Sequence, residues 1–290
     1  MLLQDIHIRD PFIVPVRDEG RYYLFGTTDA NCWGGPATGF DAYSSRDLKH
    51  WEGPVPVFRP PVGFWATTQF WSPEVHARNG RYYMFASFKA DGVCRGTQVL
   101  VSDAVSGPYV PHSDGPVTPR DWECLDGTLY VDAGGTCWLV FCHEWLQVHN
   151  GEICALPLSD DLKTAAGAPT LLFRADEALW VFKAPGAIDF VTDGPFLYRA
   201  ANHELLMLWS SGGSRGYAMG VARSTGGEIL GPWKQDPIPL YENNGGHGMV
   251  FRTFEGDLTA TIHYPNEAGK ERPILIPVTE TDGVLRARTK

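Results

Sequence analysis

Five short polar motifs recur in order along the chain, and four of them carry a carboxylate. Their key residues are Asp10, Glu74, Asp126, Asp193 and His247. An aspartate beside proline or glycine is a common turn signal, so a single motif of this kind indicates only a turn. Five such motifs in one chain favour a site in which one carboxylic acid donates a proton while a second carboxylate activates water or attacks.

Two further repeats show which elements must hold these residues. The run Gly-Arg-Tyr-Tyr-Leu-Phe at 20–25 recurs as Gly-Arg-Tyr-Tyr-Met-Phe at 80–85, and looser versions lie at 135–141, 204–209 and 256–262. Each reads as a strand rich in aromatic or β-branched residues. An apolar strand, a Ser/Asp turn and often Gly-Pro with an aromatic residue follow each run. Five such units without helical periodicity predict an all-β, five-bladed β-propeller, with residues 1–290 forming one catalytic domain.

The propeller prediction gives the polar motifs a common location. The innermost strand of each blade lines the central channel, so a polar residue at one position of every innermost strand forms a ring. We therefore expect the four carboxylates and the imidazole to converge at the channel mouth. Like charges held close together raise some pKa values, which lets one acid stay protonated while another is ionised.

Composition restricts the partners and the compartment. The chain has 290 residues, of which 43% are hydrophobic and 20% charged, and its formal charge is −10. This excess of acidic residues argues against nucleic acid as a partner, and we find no apolar run long enough to cross a membrane. We see no secretory leader, which predicts a cytoplasmic protein, and six scattered cysteines without a CxxC pair predict reduced thiols.

The motifs together resemble glycoside hydrolase family 43, over roughly residues 5 to 280. The segments that carry the resemblance are Arg9-Asp10-Pro11-Phe12-Ile13, Trp71-Ser72-Pro73-Glu74, Leu125-Asp126-Gly127-Thr128 and Gly246-His247-Gly248-Met249. The resemblance implies that Asp10 is the general base and that Asp126 tunes the pKa and position of the acid. It also implies inversion at the anomeric carbon, with acid and base about 6.5–9.5 Å apart. Glu74 is expected to be structural or to face the substrate.

The general acid is the point at which the sequence departs from the family pattern. That pattern has Glu before Gly-Pro in the fourth blade, whereas this chain has Asp193. The shorter side chain loses roughly 1.5 Å of reach. Glu144, which follows the second strand of the third blade, is the alternative acid because an antiparallel strand returns its end to the channel face where Asp126 begins.

The same resemblance suggests further ligands and an activity. His247 resembles a family histidine deep in the channel near a bound cation, which implies a structural calcium there and no cofactor required for the reaction. Trp71 and Trp145 flank the motifs and are the best candidates to pack against sugar rings. We expect the release of terminal pentose, above all α-L-arabinofuranosyl units, from plant-derived oligosaccharides. The alternatives are a β-D-xylosidase, an exo-galactosidase, and an inactive carbohydrate-binding propeller.

Overall fold

Twenty strands build the protein in the computed structural model, which describes residues 1–183 and 186–288. They form five four-stranded antiparallel sheets, and the strands of each sheet follow one another along the chain. The first strands of successive sheets contact each other, and the first strand of the last sheet contacts that of the first. The sheets therefore close into a ring, and the predicted five-bladed β-propeller is confirmed.

The strands have the following bounds. Blade 1 consists of β1 (Arg9–Val16), β2 (Arg21–Thr27), β3 (Phe40–Ser45) and β4 (Trp51–Phe58). Blade 2 consists of β5 (Thr68–Arg78), β6 (Arg81–Ala90), β7 (Val93–Ser102) and β8 (Val110–Pro111). Blade 3 consists of β9 (Cys124–Val131), β10 (Cys137–His143), β11 (Glu152–Pro157) and β12 (Thr170–Arg174). Blade 4 consists of β13 (Asp193–Arg199), β14 (Leu205–Gly213), β15 (Gly216–Ser224) and β16 (Trp233–Gln235). Blade 5 consists of β17 (Gly246–Arg252), β18 (Leu258–Tyr264), β19 (Arg272–Thr281) and β20 (Val284–Ala287).

Helical structure is short within the described chain. The α-helix α1 (Trp145–Val148) follows β10, and three 3-10 turns span Leu3–Asp5, Arg17–Glu19 and Ala175–Glu177. No helix of the described chain is long and apolar enough to cross a membrane. All six cysteines are free thiols, and five of them are buried.

The blades pack through apolar side chains on both faces of their strands. Between blades 1 and 2, the rings of Phe40, Phe58, Phe70 and Phe88 are at most 1% exposed. The centroids of Phe70 and Phe88 lie 4.8 Å apart in an edge-to-face arrangement. Burial of one such side chain stabilises the fold by about 1.5–3 kcal/mol. This packing explains why the middle strands read as nearly continuous aromatic and β-branched runs.

A repeated bulge shapes the start of every innermost strand. Pairing with the second strand slips there in all five blades. One residue in each bulge has the left-handed backbone that non-glycine residues rarely adopt. These residues, with φ between 46° and 57°, are Asp10, Ser72, Asp126, Gly194 and His247. Proline or glycine follows each of them, which is the physical origin of the repeated motif.

The bulge corrects the predicted ring. Ser72 and Gly194 occupy the positions equivalent to Asp10, whereas Glu74 lies two residues later and Asp193 one residue earlier. The prediction that Glu74 and Asp193 share one register with the other three was wrong. A bulge inserts a residue into the strand, so alignment by acidic residues alone misplaces the side chains.

The slipped pairing leaves the backbone N–H of each bulge residue without its strand partner, and a side chain accepts it instead. Three of these acceptors are hydroxyls at one position of the second strand of the preceding blade. Thr27 accepts from Ser72 at 2.9 Å, Ser87 from Asp126 at 2.8 Å, and Ser210 from His247 at 2.8 Å. Each blade thus fixes the first residues of the next.

Two junctions use other groups for the same task. Cys142 occupies the equivalent position in blade 3, and there the carboxylate of Asp126 accepts from Gly194 N–H at 3.0 Å. At the junction that closes the ring, the backbone N–H of Asp10 donates to Nδ1 of His263 at 3.2 Å. The two departures from the hydroxyl pattern involve the residues predicted to do chemistry.

Candidate active site

A cavity of about 1100 Å³ lies over the starts of the innermost strands. Its lining includes seven of the eight predicted site residues, namely Asp10, Trp71, Asp126, Glu144, Trp145, Asp193 and His247. Three of the seven, Asp10, Asp126 and His247, are the left-handed bulge residues of their innermost strands, and the other four lie within a few residues of a strand end on the same side of the ring. The eighth residue, Glu74, is not part of the lining formed by the described residues.

Asp10 is buried and held as an anion. Thr27 donates its hydroxyl to Oδ2 at 2.7 Å, and Nδ1 of His247 lies 3.1 Å from Oδ1. Burial alone would raise the pKa of Asp10, but the facing His247 ring and the Arg9 guanidinium act in the opposite direction. The net effect holds the pKa of this carboxyl well below its usual range, so Asp10 is ionised at neutral pH.

Asp126 and Asp193 are shifted in the opposite direction. Burial raises the pKa of Asp193 to about 7, and the Asp126 carboxylate adds to the rise. The Tyr217 hydroxyl donates to Oδ2 of Asp193 at 2.7 Å. Burial and the charge of Asp10 raise the pKa of Asp126 well above its usual value. The three carboxyl groups of this cavity do not ionise equally: Asp10 stays charged, while ionisation of either Asp126 or Asp193 disfavours ionisation of the other.

Glu144 also lines the cavity, but its carboxylate is paired with a buried arginine. Nε of Arg95, from β7, lies 3.2 Å from its Oε2, and both side chains are at most 3% exposed. Arg95 in turn stacks on Trp71, with its guanidinium carbon 3.8 Å from the ring centroid. Burial raises the pKa of Glu144, and the facing Arg95 counteracts the rise. The three side chains form one packed unit in the wall of the cavity.

Comparison with known proteins agrees with this geometry. The model of the glycosyl hydrolases family 43 matches residues 5–283. The chain belongs to glycosyl hydrolase family 43. It is similar in structure to an endo-arabinase from Bacteroides thetaiotaomicron, with 41% identity, a TM-score of 0.90 and 98% of each chain covered. An endo-1,4-beta-xylanase from the same organism has 22% identity, a TM-score of 0.79 and coverage of 98% and 95%, and it supports the fold alone.

A curated relative matches over a shorter stretch. A protein named xylosidase/arabinosidase from Bacteroides ovatus is 32% identical over 76 residues, which cover 24% of this chain and 23% of the relative. The aligned segment is thus about a quarter of the relative's length. Membership of family 43 makes the protein a glycoside hydrolase, while the sugar that it cleaves is a separate question.

The family 43 cavity has an aromatic wall at one side. Trp71 donates its indole N–H to the carbonyl of Cys32 at 2.7 Å, which fixes the ring. Trp33 packs edge-on against Trp71 at 5.4 Å and is 49% exposed. Trp145 begins α1 and also lines the cavity. Such indole faces can pack on the C–H faces of a sugar ring.

Glu74 occupies a different environment from the one predicted for a substrate contact. It is 5% exposed, and its Oε2 lies 3.4 Å from Nε2 of His76. Among the described residues this oxygen has no hydrogen-bond partner. Its charge reaches Asp126 and contributes to the raised pKa there. The structure therefore connects Glu74 to the site through electrostatics rather than through the cavity wall.

His247 does not fit the role of a calcium ligand. Its Nε2 lies 2.9 Å from the Ser72 hydroxyl, and its Nδ1 faces Asp10. Both ring nitrogens are thus engaged within the protein. Calcium takes six to eight oxygen ligands, and the described residues contain no cluster of three or more His, Cys, Asp or Glu side chains suited to a metal.

Three residues that contact the predicted carboxyl groups were not predicted from the sequence. Arg95, Tyr217 and His263 lie on second or third strands of their blades, outside the repeated acidic motif. A signal for His263 did exist. It follows an apolar run at the position where Thr27 and Ser210 follow theirs, so alignment of the second strands would have singled it out.

Proposed function

We propose that this family 43 protein is an inverting glycoside hydrolase that cleaves L-arabinosyl linkages. The observation that carries the proposal is the presence of Asp10 and Asp193 in one cavity with different partners: Thr27 and His247 hold the carboxylate of Asp10, whereas Asp193 lies beside the Tyr217 hydroxyl, and the pKa of Asp193 is raised. A glycosidase needs one carboxyl group of each kind.

The mechanism assigns one role to each of three aspartates. Asp193 gives its proton to the glycosidic oxygen as the bond to the anomeric carbon breaks. Asp10 takes a proton from a water molecule that attacks the same carbon from the opposite face, which inverts its configuration. Asp126 keeps the pKa of Asp193 high enough for the proton to be present at neutral pH. Hydrolysis consumes one water and leaves both carboxyl groups ready after proton exchange with solvent.

Asp193 is the better candidate for the acid than Glu144. Neighbouring carboxylates favour the protonated form of Asp193, whereas the ion pair with Arg95 favours the charged form of Glu144. An acid must hold a proton at the working pH, and its pKa is most useful near that pH. Glu144 is assigned instead to holding Arg95 against Trp71.

The preference for arabinose rests on the similarity to the endo-arabinase structure over nearly the whole of both chains. Release of single terminal α-L-arabinofuranosyl units is the action that we propose, with cleavage inside an arabinan chain as its alternative. A second candidate is β-D-xylosidase activity, which the name of the Bacteroides ovatus relative favours.

The test is hydrolysis of 4-nitrophenyl α-L-arabinofuranoside and β-D-xylopyranoside by wild type and Asp10→Ala, together with product sizing on linear arabino-oligosaccharides. We expect arabinose release by wild type, loss of at least about 100-fold in Asp10→Ala, and inverted product by NMR. Faster xyloside cleavage would favour the second candidate. No hydrolysis of any of these substrates would contradict the proposal and favour a carbohydrate-binding propeller or a different sugar.

A further inference from the structure

We propose that His263 and Tyr217 form a positioning pair that sets the separation between Asp10 and Asp193. The inference rests on the function proposed above, in which these two aspartates are base and acid. Tyr217, on β15, and His263, on β18, are both buried and stack with ring centroids 5.5 Å apart and planes 15° apart. His263 bonds to the backbone of the base, and Tyr217 bonds to the side chain of the acid.

The hydrogen bonds of His263 fix its tautomer. Oδ1 of Asn266 accepts from Nη1 of Arg9 at 3.0 Å, and because arginine only donates, this Asn266 atom must be the oxygen. The same oxygen lies 3.1 Å from Nε2 of His263, which therefore carries the hydrogen and donates it. Burial lowers the pKa of His263, so the ring is neutral. Its Nδ1 keeps a lone pair for the backbone N–H of Asp10.

This bond acts on the backbone of the base. Asp10 has φ of 54°, a conformation that costs an aspartate free energy, and its N–H lies where strand pairing slips. The bond from Asp10 N–H to His263 replaces the lost strand bond. The hydroxyl acceptors at other blade junctions, such as Ser210, replace the lost strand bond in the same way. His263 differs from them in its size, which lets the imidazole reach Tyr217.

Tyr217 carries the connection from His263 to the acid. Its ring lies against His263, and its hydroxyl donates to Asp193 at 2.7 Å. Gly246 makes room for this placement, since a Cβ there would lie 2.9 Å from the Tyr217 ring. The base and the acid are therefore hydrogen-bonded to the two members of one stacked pair of rings, His263 and Tyr217. A shift of an ångström at a reacting group can cost about 100-fold in rate, so this spacer controls turnover rather than binding.

The experiment compares wild type with His263→Ala, Tyr217→Phe and the double variant. Arabinoside hydrolysis should show kcat reduced about 10- to 100-fold in each single variant, with KM changed less than about 3-fold. Because the two rings act as one unit, the double variant should lose about as much as the worse single variant. His263→Ser restores a hydroxyl acceptor like that of Ser210 and should recover part of the loss.

Two further readouts separate positioning from a structural defect. Tyr217→Phe removes a donor to the ionised form of Asp193, so its pKa should rise and the basic limb of the pH–rate profile should move to higher pH. Tyr198→Phe, which removes a hydroxyl bonded to Glu280 at the far end of β13, is the matched control and should keep wild-type kcat.

Crystal structures of wild type and His263→Ala test the inference independently of activity. We expect the separation of the Asp10 and Asp193 carboxyl groups to change by about 0.5 Å or more, the tolerance of a catalytic constellation. An unchanged separation, or single-variant losses that simply multiply in the double variant, would overturn the inference. If wild type cleaves no arabinoside while the separation still shifts, the proposed function fails and the positioning role stands.

Discussion

Two carboxyl groups, the half-buried Asp193 and the buried Glu144, line the same cavity and differ in the charge of their neighbours. Asp193 faces Asp126 and the Tyr217 hydroxyl, and Glu144 faces Arg95. Burial raises the pKa of both groups. Neighbouring negative charge strengthens the rise at Asp193, while the guanidinium opposes it at Glu144. Burial alone therefore does not identify a general acid, and the sign of the nearest charge does.

The largest effect should follow the loss of the acid. Asp193→Asn keeps the size of the side chain but has no proton to give to the leaving oxygen. We expect kcat on arabino-oligosaccharides to fall about 10²- to 10⁴-fold, the range for removal of a positioned acid. Initial rates of sugar release measure it. A loss below about 10-fold would remove Asp193 from the mechanism.

Asp126 should change the pH dependence as well as the rate. In wild type, activity should decline as pH rises through about 7, because Asp193 then loses its proton. Asp126→Asn removes the carboxyl group whose ionisation opposes that of Asp193, so the pKa of Asp193 falls and the declining limb moves to lower pH. The pH dependence of kcat/KM tests this shift. A limb that stays in place would show that Asp126 does not tune the acid.

Glu144→Gln should affect stability more than turnover. The variant leaves the buried Arg95 cation without its counter-charge, and breaking a buried pair in this way costs about 3–5 kcal/mol of folding free energy. We expect a lower Tm while kcat of the folded enzyme stays within about 10-fold of wild type. Glu123→Gln is the control, since its pair with Lys89 is more exposed and its loss should cost less.

The smallest effect should come from the aromatic wall. Trp33→Ala removes a half-exposed ring beside Trp71 and leaves the aspartates untouched. We expect KM for arabino-oligosaccharides to rise about 3- to 10-fold with little change in kcat, since loss of about 1 kcal/mol of stacking weakens binding alone. An unchanged KM would place Trp33 outside the substrate path.

The fold was predictable because its repeats are local. Runs such as 20–25 and 80–85 encode strands through their own composition, and five of them in order indicate five blades. The same repeats pointed to the position of Asp10 and Asp126 in the cavity. Their motif also records a physical need, since a left-handed residue before proline or glycine begins every innermost strand.

The rest of the site depends on contacts between distant parts of the chain. The bulges shift Glu74 and Asp193 out of the predicted register, and a slip of this kind shows only in strand pairing. Arg95 of blade 2 pairs with Glu144, which follows the second strand of blade 3. His263 of blade 5 accepts from the backbone of Asp10 in blade 1, where the ring of blades closes. A motif read along one strand carries no information on such partners.

The most direct test of the assignment of the acid is the dependence of rate on the leaving group. Aryl α-L-arabinofuranosides with 2,4-dinitrophenol and with phenol as leaving groups should be compared in wild type, Asp193→Ala and Glu144→Ala. A good leaving group needs no proton, so we predict that Asp193→Ala keeps much of its activity on the dinitrophenyl substrate and loses it on the phenyl substrate. In Glu144→Ala, the ratio of the rates on the two substrates should equal that of wild type. The reverse pattern, with the sensitivity in Glu144→Ala, would contradict the account.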